Sequence, residues 1–297
     1  MKIFDCTTFY SEDLMMDLRF NILNDYVEKF IVCESTISHS GNKKKLNFDI
    51  NNYSKFKDKI IYIIIDEEPK GIVGQKNGLA EPHEKRSDSL KRINLSYDYM
   101  IKAISDASDN DLIILSDNDE IPNLNSNQFK KSKKNIIIFK QLFFYYKLNL
   151  LYDLIPWYGS KATKKKNLLS MSWLRNLKNK EYPFWRLDTL FSNTKYMDLE
   201  IINDGGWHFT NLMTAEKLYE KLTNFGHHDE FELSGMTIDN LQKKINDKEV
   251  FFNHFVDKEK YKERWNFNYK LKKIDDKKLP DYLQLEENRL KLKDWFD

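Results

Sequence analysis

Asp117-Asn118-Asp119-Glu120 follows the apolar run Leu112-Ile113-Ile114-Leu115 and a serine. In extended backbone, residues two apart project to the same side, so Asp117 and Asp119 can face one hard cation. Mg²⁺ or Mn²⁺ prefers oxygen ligands and is commonly held by one or two carboxylates, with substrate phosphates completing the shell. Two carboxylates at the end of a buried strand repel each other unless positive charge sits between them. The same residues also read as an acidic turn capping the next helix. D-x-D alone does not choose, and its place at the carboxyl end of a strand favours the metal.

A second group is Asp204-Gly205-Gly206-Trp207-His208-Phe209. The glycine pair lets backbone approach closely, and a neutral His208 imidazole can add a metal ligand. Asp204 reads as a general base or as a turn residue. A third group is Glu34-Ser35-Thr36, with His39, Ser40 and Gly41 and the lysines 43–45 behind it. Hydroxyls and backbone N–H groups at a strand end suit a nucleoside or phosphate, and a solvated loop fits the spacing equally well. Arg86 and Arg92 begin a periodic helix, from which they can reach a diphosphate or simply face solvent.

The elements that must position these groups are read from hydrophobic pattern. Ile3, Phe4 and Phe9 suggest a first strand, 30–35 a second, 59–65 a third and 111–116 a fourth, stopped by Pro122. Leu14, Leu18 and Ile22 share a helical stripe over 12–24. Leu90, Ile93, Tyr97, Met100 and Ile104 share another, with Ser87 as a plausible N-cap. Residues 66–85 hold three glycines and two prolines and read as a long loop, able to close over a ligand. Residues 135–148 look like a long strand, 196–202 and 207–209 like strands around the glycine pair, and 214–225 and 237–246 like helices. Apolar strands alternating with helices predict an α/β protein with a mainly parallel central sheet, whose ligands bind beyond the carboxyl ends of the strands.

The chain has 297 residues, with 48 Lys and Arg against 46 Asp and Glu, so no global basic field recruits nucleic acid. The clusters 130–134 and 161–166 therefore read as solvated faces that can steer an anionic acceptor. Aromatics reach 14%. Trp157, Tyr158, Trp185 and Trp207 are candidates for stacking on sugar rings, although aromatics are more often core. Cys6 and Cys33 read as small core residues in a reducing compartment. The start has an early acid and no long apolar run. No stretch reaches the ~20 apolar residues of a membrane span. The expectation is a cytoplasmic protein whose membrane contact is at most peripheral.

Together, KIFDCTTFYSEDLMMDLRFNIL, VEKFIVCESTISHSG, LKRINLSYDYMIKAI, DLIILSDNDEIP, GGWHFTNLMTAEKLYEKLTNFGHHDE and MTIDNLQKKI resemble, in order and spacing, glycosyltransferase family 17. The likeness runs over roughly residues 2–250. CESTISHSG, ILSDNDEIP and GWHF are its specific phrases, and Asn118 departs from the hydrophobic residue usual between the two aspartates. The resemblance implies a GT-A-like domain over 1–250, with 251–297 a helical extension of unknown role. It implies an inverting transferase using Mn²⁺ or Mg²⁺ and a nucleotide sugar, with UDP-GlcNAc the family donor, acting on a glycan hydroxyl. Asp119 would bind metal, Asp117 metal or ribose, and His208 would complete the metal site. Glu34 and Ser35 would contact the nucleoside, and Arg92 would neutralise the diphosphate. Without an anchor or leader, a microbial or viral glycan acceptor is expected. One carboxylate must take the acceptor's proton. Asp204, Asp188 and Glu230 are the candidates, and the sequence does not choose among them. A metal-dependent phosphohydrolase and a non-catalytic carbohydrate-binding protein remain the rival readings.

Overall fold

The computed structural model describes residues 1–73, 82–255, 264–265 and 267–297. Its strands are β1 (Ile3–Phe9), β2 (Lys29–Ser35), β3 (Ile60–Ile65), β4 (Leu112–Ser116), β5 (Glu120–Pro122), β6 (Ile136–Tyr145), β7 (Leu150–Leu151), β8 (Trp157–Lys164), β9 (Leu199–Ile202), β10 (Gly206–Thr210), β11 (Glu249–Val250), β12 (Tyr269–Lys270) and β13 (Lys272–Lys273). The helices used below are α1 (Asp13–Leu23), α2 (Pro82–Tyr99), α3 (Asn127–Lys131), α4 (Met171–Asn176), α5 (Ala215–Asn224), α6 (His228–Ser234) and α7 (Ile238–Asn246).

The main sheet runs β13-β7-β6-β8-β4-β1-β2-β3. β1 lies between β2 and β4, parallel to both, and β3 continues parallel beyond β2. The chain thus winds outward through β2 and β3, then returns to the other side of β1. That reversal of strand order opens a crevice at the carboxyl ends of β1 and β4. β8 is antiparallel to both β4 and β6, so the sheet is mixed rather than mainly parallel.

The long β6 carries two partners in succession on one edge: β9 along its first half and β10 along its second. Between those partners the chain crosses at Gly205 and Gly206. A Cβ on Gly205 would sit 2.4 Å from the Lys140 backbone nitrogen, and Gly206 has φ +113°. No other residue type fits that crossing without moving β6.

One apolar layer packs α1 and Phe48, Tyr53 and Phe56 against one sheet face. A second places α2 and α4 on the other face. A third joins α5, α6 and α7 to Phe251, Trp265 and Leu271. Leu279 and Leu283 return to the first layer. Cys6 and Cys33 are buried and free.

Several sequence expectations shift. α2 starts at Pro82, ahead of Ser87, and ends at Tyr99, with a tight turn over Met100–Ala103. Leu90 of its expected apolar stripe is exposed. Much of the expected closing loop, 74–81, lies outside the described residues. The cluster 161–166 contains the end of an interior strand, not only a solvated face. Lys161 is 2% exposed, and its ammonium donates to the carbonyls of Arg175 and Leu177, each at 2.7 Å. The pattern hid β8 because Gly159, Ser160, Ala162 and Thr163 are small or polar, yet they are buried between β4 and β6.

Candidate functional site

The crevice beyond β1 and β4 is a cleft of about 440 Å³. Its walls include Tyr10 and Glu12 after β1, Ser35 at the end of β2 with Ile37, Ser38 and His39 beyond it, Arg86 and Tyr97 of α2, and Asp117 to Asp119. Arg175 of α4 and Lys221 of α5 complete it.

The turn from β4 to β5 is fixed on all sides. The Glu120 N–H donates to the Asp117 carbonyl at 3.1 Å. The Asp117 N–H donates to the Glu120 carboxylate at 3.0 Å. The Glu120 carbonyl accepts from Arg19 at 2.5 Å. Arg19 is fully buried in α1 and also makes a two-pronged pair with Asp5 of β1, both contacts at 2.6 Å. A buried guanidinium without partners would be costly, and here its fork is filled.

Asp117 and Asp119 both line the cleft but meet different partners. Asp117 accepts from Tyr97 Oη at 2.6 Å and from Arg175 Nη2 at 2.7 Å. Asp119 faces His208 Nε2 at 3.2 Å and Lys221 Nζ at 3.9 Å. Burial works against ionising Asp119, but His208, Lys221 and the Thr210 hydroxyl outweigh it and hold the carboxyl well below the usual range. Burial likewise works against the Lys221 ammonium, but Glu12 and Asp119 keep its pKa above the ordinary value.

His208 reaches Asp119 through backbone pairing. In β10 it stands opposite Glu120 of β5 and beside Phe143 of β6. The Phe209 N–H donates to the Asp119 carbonyl at 2.8 Å. The imidazole stacks on Phe143, with centroids 4.5 Å apart, and lies 4.2 Å from the Trp157 ring. Its Nδ1 is buried without a protein partner.

Glu120 itself was passed over by sequence reasoning, although it stands inside the acidic run. Burial and the nearby Asp117 charge push its carboxyl up to about 7. It accepts from Trp157 Nε1 at 2.9 Å. A Cβ on Gly159 would fall 2.0 Å from Gln141 Oε1 and 2.9 Å from Glu120 Cδ, so the missing side chain lets these two groups converge. Gln141 Oε1 is a buried acceptor without a partner, suited to a protonated Glu120. Arg175 and Lys221 were also missed, because nothing in the local pattern marks a cation that acts across the fold.

The other expected site residues are distributed more widely. Ser35 lines the cleft. Glu34 is buried behind it, accepting from the Asn47 and Phe48 N–H groups, Tyr62 and Lys44. It therefore pins the loop that forms the cleft wall. Arg92 pairs with Glu68 at 2.9 and 3.1 Å and donates to the His39 carbonyl at 3.1 Å, which supports the same wall from behind. The structure does not bring Asp204, Asp188 or Glu230 into the cleft lining. Asp204 bonds to Asn123 at 3.0 Å and borders a different groove with Trp207. Asp188 is exposed between Arg186 and Lys195, which hold it below the usual carboxyl range. Glu230 sits behind the cleft wall, paired with Arg264 at 2.7 Å and with the wall residue His227 at 3.2 Å. Of the four aromatics, Trp185 is exposed, Trp157 lies under His208, and Trp207 donates to the Lys278 carbonyl. Tyr158 packs in the second apolar layer.

The family model described as glycosyltransferase family 17 matches residues 1–293. The chain belongs to glycosyltransferase family 17. Within curated proteins, it is 29% identical over 112 residues to the beta-1,4-mannosyl-glycoprotein 4-beta-N-acetylglucosaminyltransferases of Homo sapiens and Rattus norvegicus. The Mus musculus protein of that name is 28% identical over the same length. These matches cover 36% of this chain and 19% of each relative. A solved structure, HddC from Yersinia pseudotuberculosis, aligns over 68% of this chain and 91% of its own at 12% identity, with a TM-score of 0.29, which is too low to bear on fold.

For this family member, the donor set for a divalent cation is small. Among the described residues, no group of three or more His, Cys, Asp or Glu could hold a metal ion. Asp119 lines the cleft and His208 is buried directly behind it at 3.2 Å, while Asp117 is engaged by Arg175. Two protein ligands suit Mg²⁺ or Mn²⁺ where a diphosphate and water supply the remaining oxygens. The pair fits a cation shared with substrate, rather than a closed structural site. No helix among the described residues is long and apolar enough to cross a membrane.

Proposed function

We propose that this chain is a metal-dependent inverting glycosyltransferase with a GT-A-like fold, moving a sugar from a nucleotide donor to a glycan hydroxyl. UDP-GlcNAc is the donor we favour, in keeping with the names of the relatives. The observation that carries the reading is the contact of Asp119 with His208 at the strand-order reversal, beside a fixed ammonium. The parallel β3-β2-β1-β4 arrangement, followed by an antiparallel β8, supports the fold assignment.

In this reading Asp119 and His208 hold the cation, which would supply positive charge to the departing diphosphate. Lys221 adds a second positive charge on the same side of the cleft. Asp117 holds the Arg175 guanidinium at the cleft wall, with Tyr97 fixing the carboxylate from behind. Ser35 and the loop pinned by Glu34 and Arg92 line the nucleoside end. During transfer the bond from C1 to the diphosphate oxygen breaks, its electron pair leaving with the nucleoside diphosphate. The acceptor hydroxyl oxygen attacks C1 from the opposite face and inverts its configuration, while its proton passes to a base at the cleft or to solvent water. Charge grows on the leaving diphosphate in the transition state, where preorganised cations stabilise it most.

A thermal-shift panel of nucleotide sugars with and without Mn²⁺ tests the proposal. Stabilisation by UDP-GlcNAc or UDP that requires Mn²⁺ supports it, because only ligands that prefer the native state raise its melting temperature. A panel with no shift for any nucleotide or nucleotide sugar rejects it. Release of free sugar at the same rate with and without a glycan acceptor would favour a hydrolase instead.

A further inference from the structure

Residues 178–194 form an excursion between α4 and β9 whose ends are tied together. The Lys178 N–H donates to the Thr194 carbonyl at 2.8 Å. Ser192 Oγ accepts from the N–H groups of Thr194 and Lys195, both at 3.2 Å. The base is therefore ordered, yet the tip turns its largest apolar side chains outward. Phe191 is 90% exposed and Phe184 is 82% exposed, with Trp185, Leu187 and Leu190 beside them each more than half exposed. Phe184 and Trp185 meet edge to face, with centroids 5.1 Å apart. Scattered surface leucines need no explanation, but five large apolar groups within eight consecutive residues mark a surface that something covers.

The charges carried by the lobe and by the sheet end at its base bear on what covers it. Across 178–195 there are four basic residues (Lys178, Lys180, Arg186, Lys195) and two acidic ones (Glu181, Asp188). Asp188 is neutralised between Arg186 and Lys195 at 2.7 and 2.8 Å. Where the excursion rejoins the sheet, Asp198 pairs with Lys134 of the cluster 130–134 at 3.7 Å. On the neighbouring strands Ile136 stands beside both Thr163 and Leu199, so Lys164 lies at the same end of the sheet, while Lys165 and Lys166 donate to residues 105–110. A second copy of this chain seated here would bring lysines against lysines. Trp, Phe and Leu at a tip with Lys and Arg around it match a bilayer interface, where aromatic rings sit at headgroup level and the cations meet anionic lipid.

We propose that the 178–194 lobe is a peripheral anchor that inserts its aromatic tip into an anionic lipid bilayer. The proposal does not depend on the sugar chemistry of the cleft. The test is sedimentation with vesicles of phosphatidylcholine alone and of phosphatidylcholine with phosphatidylglycerol. It uses the full chain and its F184S/W185S/F191S variant. The wild type is expected to pellet with the anionic vesicles and to be released by salt. The variant should partition about tenfold more weakly or worse, while melting at the wild-type temperature, since the removed groups face solvent. Replacing Lys130, Lys131, Lys133 and Lys134 by Gln should lower anionic binding while leaving the weaker phosphatidylcholine binding unchanged. A wild type that stays in the supernatant with both vesicles overturns the proposal. So does equal partition of wild type and variant. Dimerisation without vesicle binding, abolished in the variant, would also overturn it by assigning the lobe to a second copy.

Discussion

His208 Nε2 lies 3.2 Å from Asp119 Oδ1, and the two residues are held there by backbone rather than by side-chain chance. β10 pairs with β5 on one side and β6 on the other, and the Phe209 N–H ties directly to the Asp119 carbonyl. The Phe143 and Trp157 rings then fix the imidazole plane. A pair held in this way, by a strand on one side and a backbone-tied turn on the other, keeps its spacing, as a preorganised site requires.

Asp119→Asn keeps the shape of the side chain and removes its charge. The fold should persist with a lowered melting temperature, because the buried pairing with His208 and Lys221 is lost. Mn²⁺-dependent stabilisation by UDP should vanish in a melting assay, and transfer should fall by roughly 100-fold or more. Near-normal turnover by this variant would refute the metal assignment.

Asp204 borders a groove away from the cleft lining. Asp204→Asn should therefore leave transfer within about twofold of wild type, as surface changes away from a site generally do. A loss of rate without a loss of melting temperature would return Asp204 to the reaction as its base.

Glu120 gives a pH signature in chelator-treated protein. Its carboxyl is raised from the usual 4.5 to about 7, chiefly by burial and then by Asp117. Between those values the native state binds the proton that the unfolded chain has released. Stability from this group is thus complete below about pH 4.5 and is lost as pH climbs through 7, by on the order of 3 kcal/mol at most. Denaturant unfolding across that window should show the decline, and Glu120→Gln should flatten it. An identical slope in the variant would disprove the assignment.

Lys161→Met removes an ammonium that satisfies the Arg175 and Leu177 carbonyls from inside the sheet. Stability should drop by about 2 kcal/mol or more, as expected for buried acceptors left unpaired. Because those carbonyls end α4, Arg175 should also lose its register on Asp117, so turnover should fall more than at Lys166→Met on the exposed end of the cluster. Equal effects of the two substitutions would mean that Lys161 serves stability alone.

The sequence displayed the first four strands because apolar runs such as Ile60–Ile65 and Leu112–Ser116 are continuous, although only the second is buried along its whole length. It displayed the Asp117–Asp119 turn because carboxylates after such a run are chemically conspicuous. β8 was not legible, since its interior positions are filled by small and hydroxyl residues and one buried lysine. Arg175 and Lys221 were not legible for a different reason. Each meets its aspartate only after α4 or α5 docks, and a lone basic residue on a helix carries no local sign of a distant partner. Arg92 was conspicuous yet faces Glu68, because periodicity gives the face of a helix but not what lies against it.

Arg19 joins the first helix, the first strand and the Glu120 carbonyl through one sealed guanidinium. The acidic turn therefore depends for its shape on the amino-terminal segment, even though most of that segment does not line the cleft. A fragment starting at β2 would keep Asp117, Asp119 and His208, and still lack the clasp that sets the acidic turn.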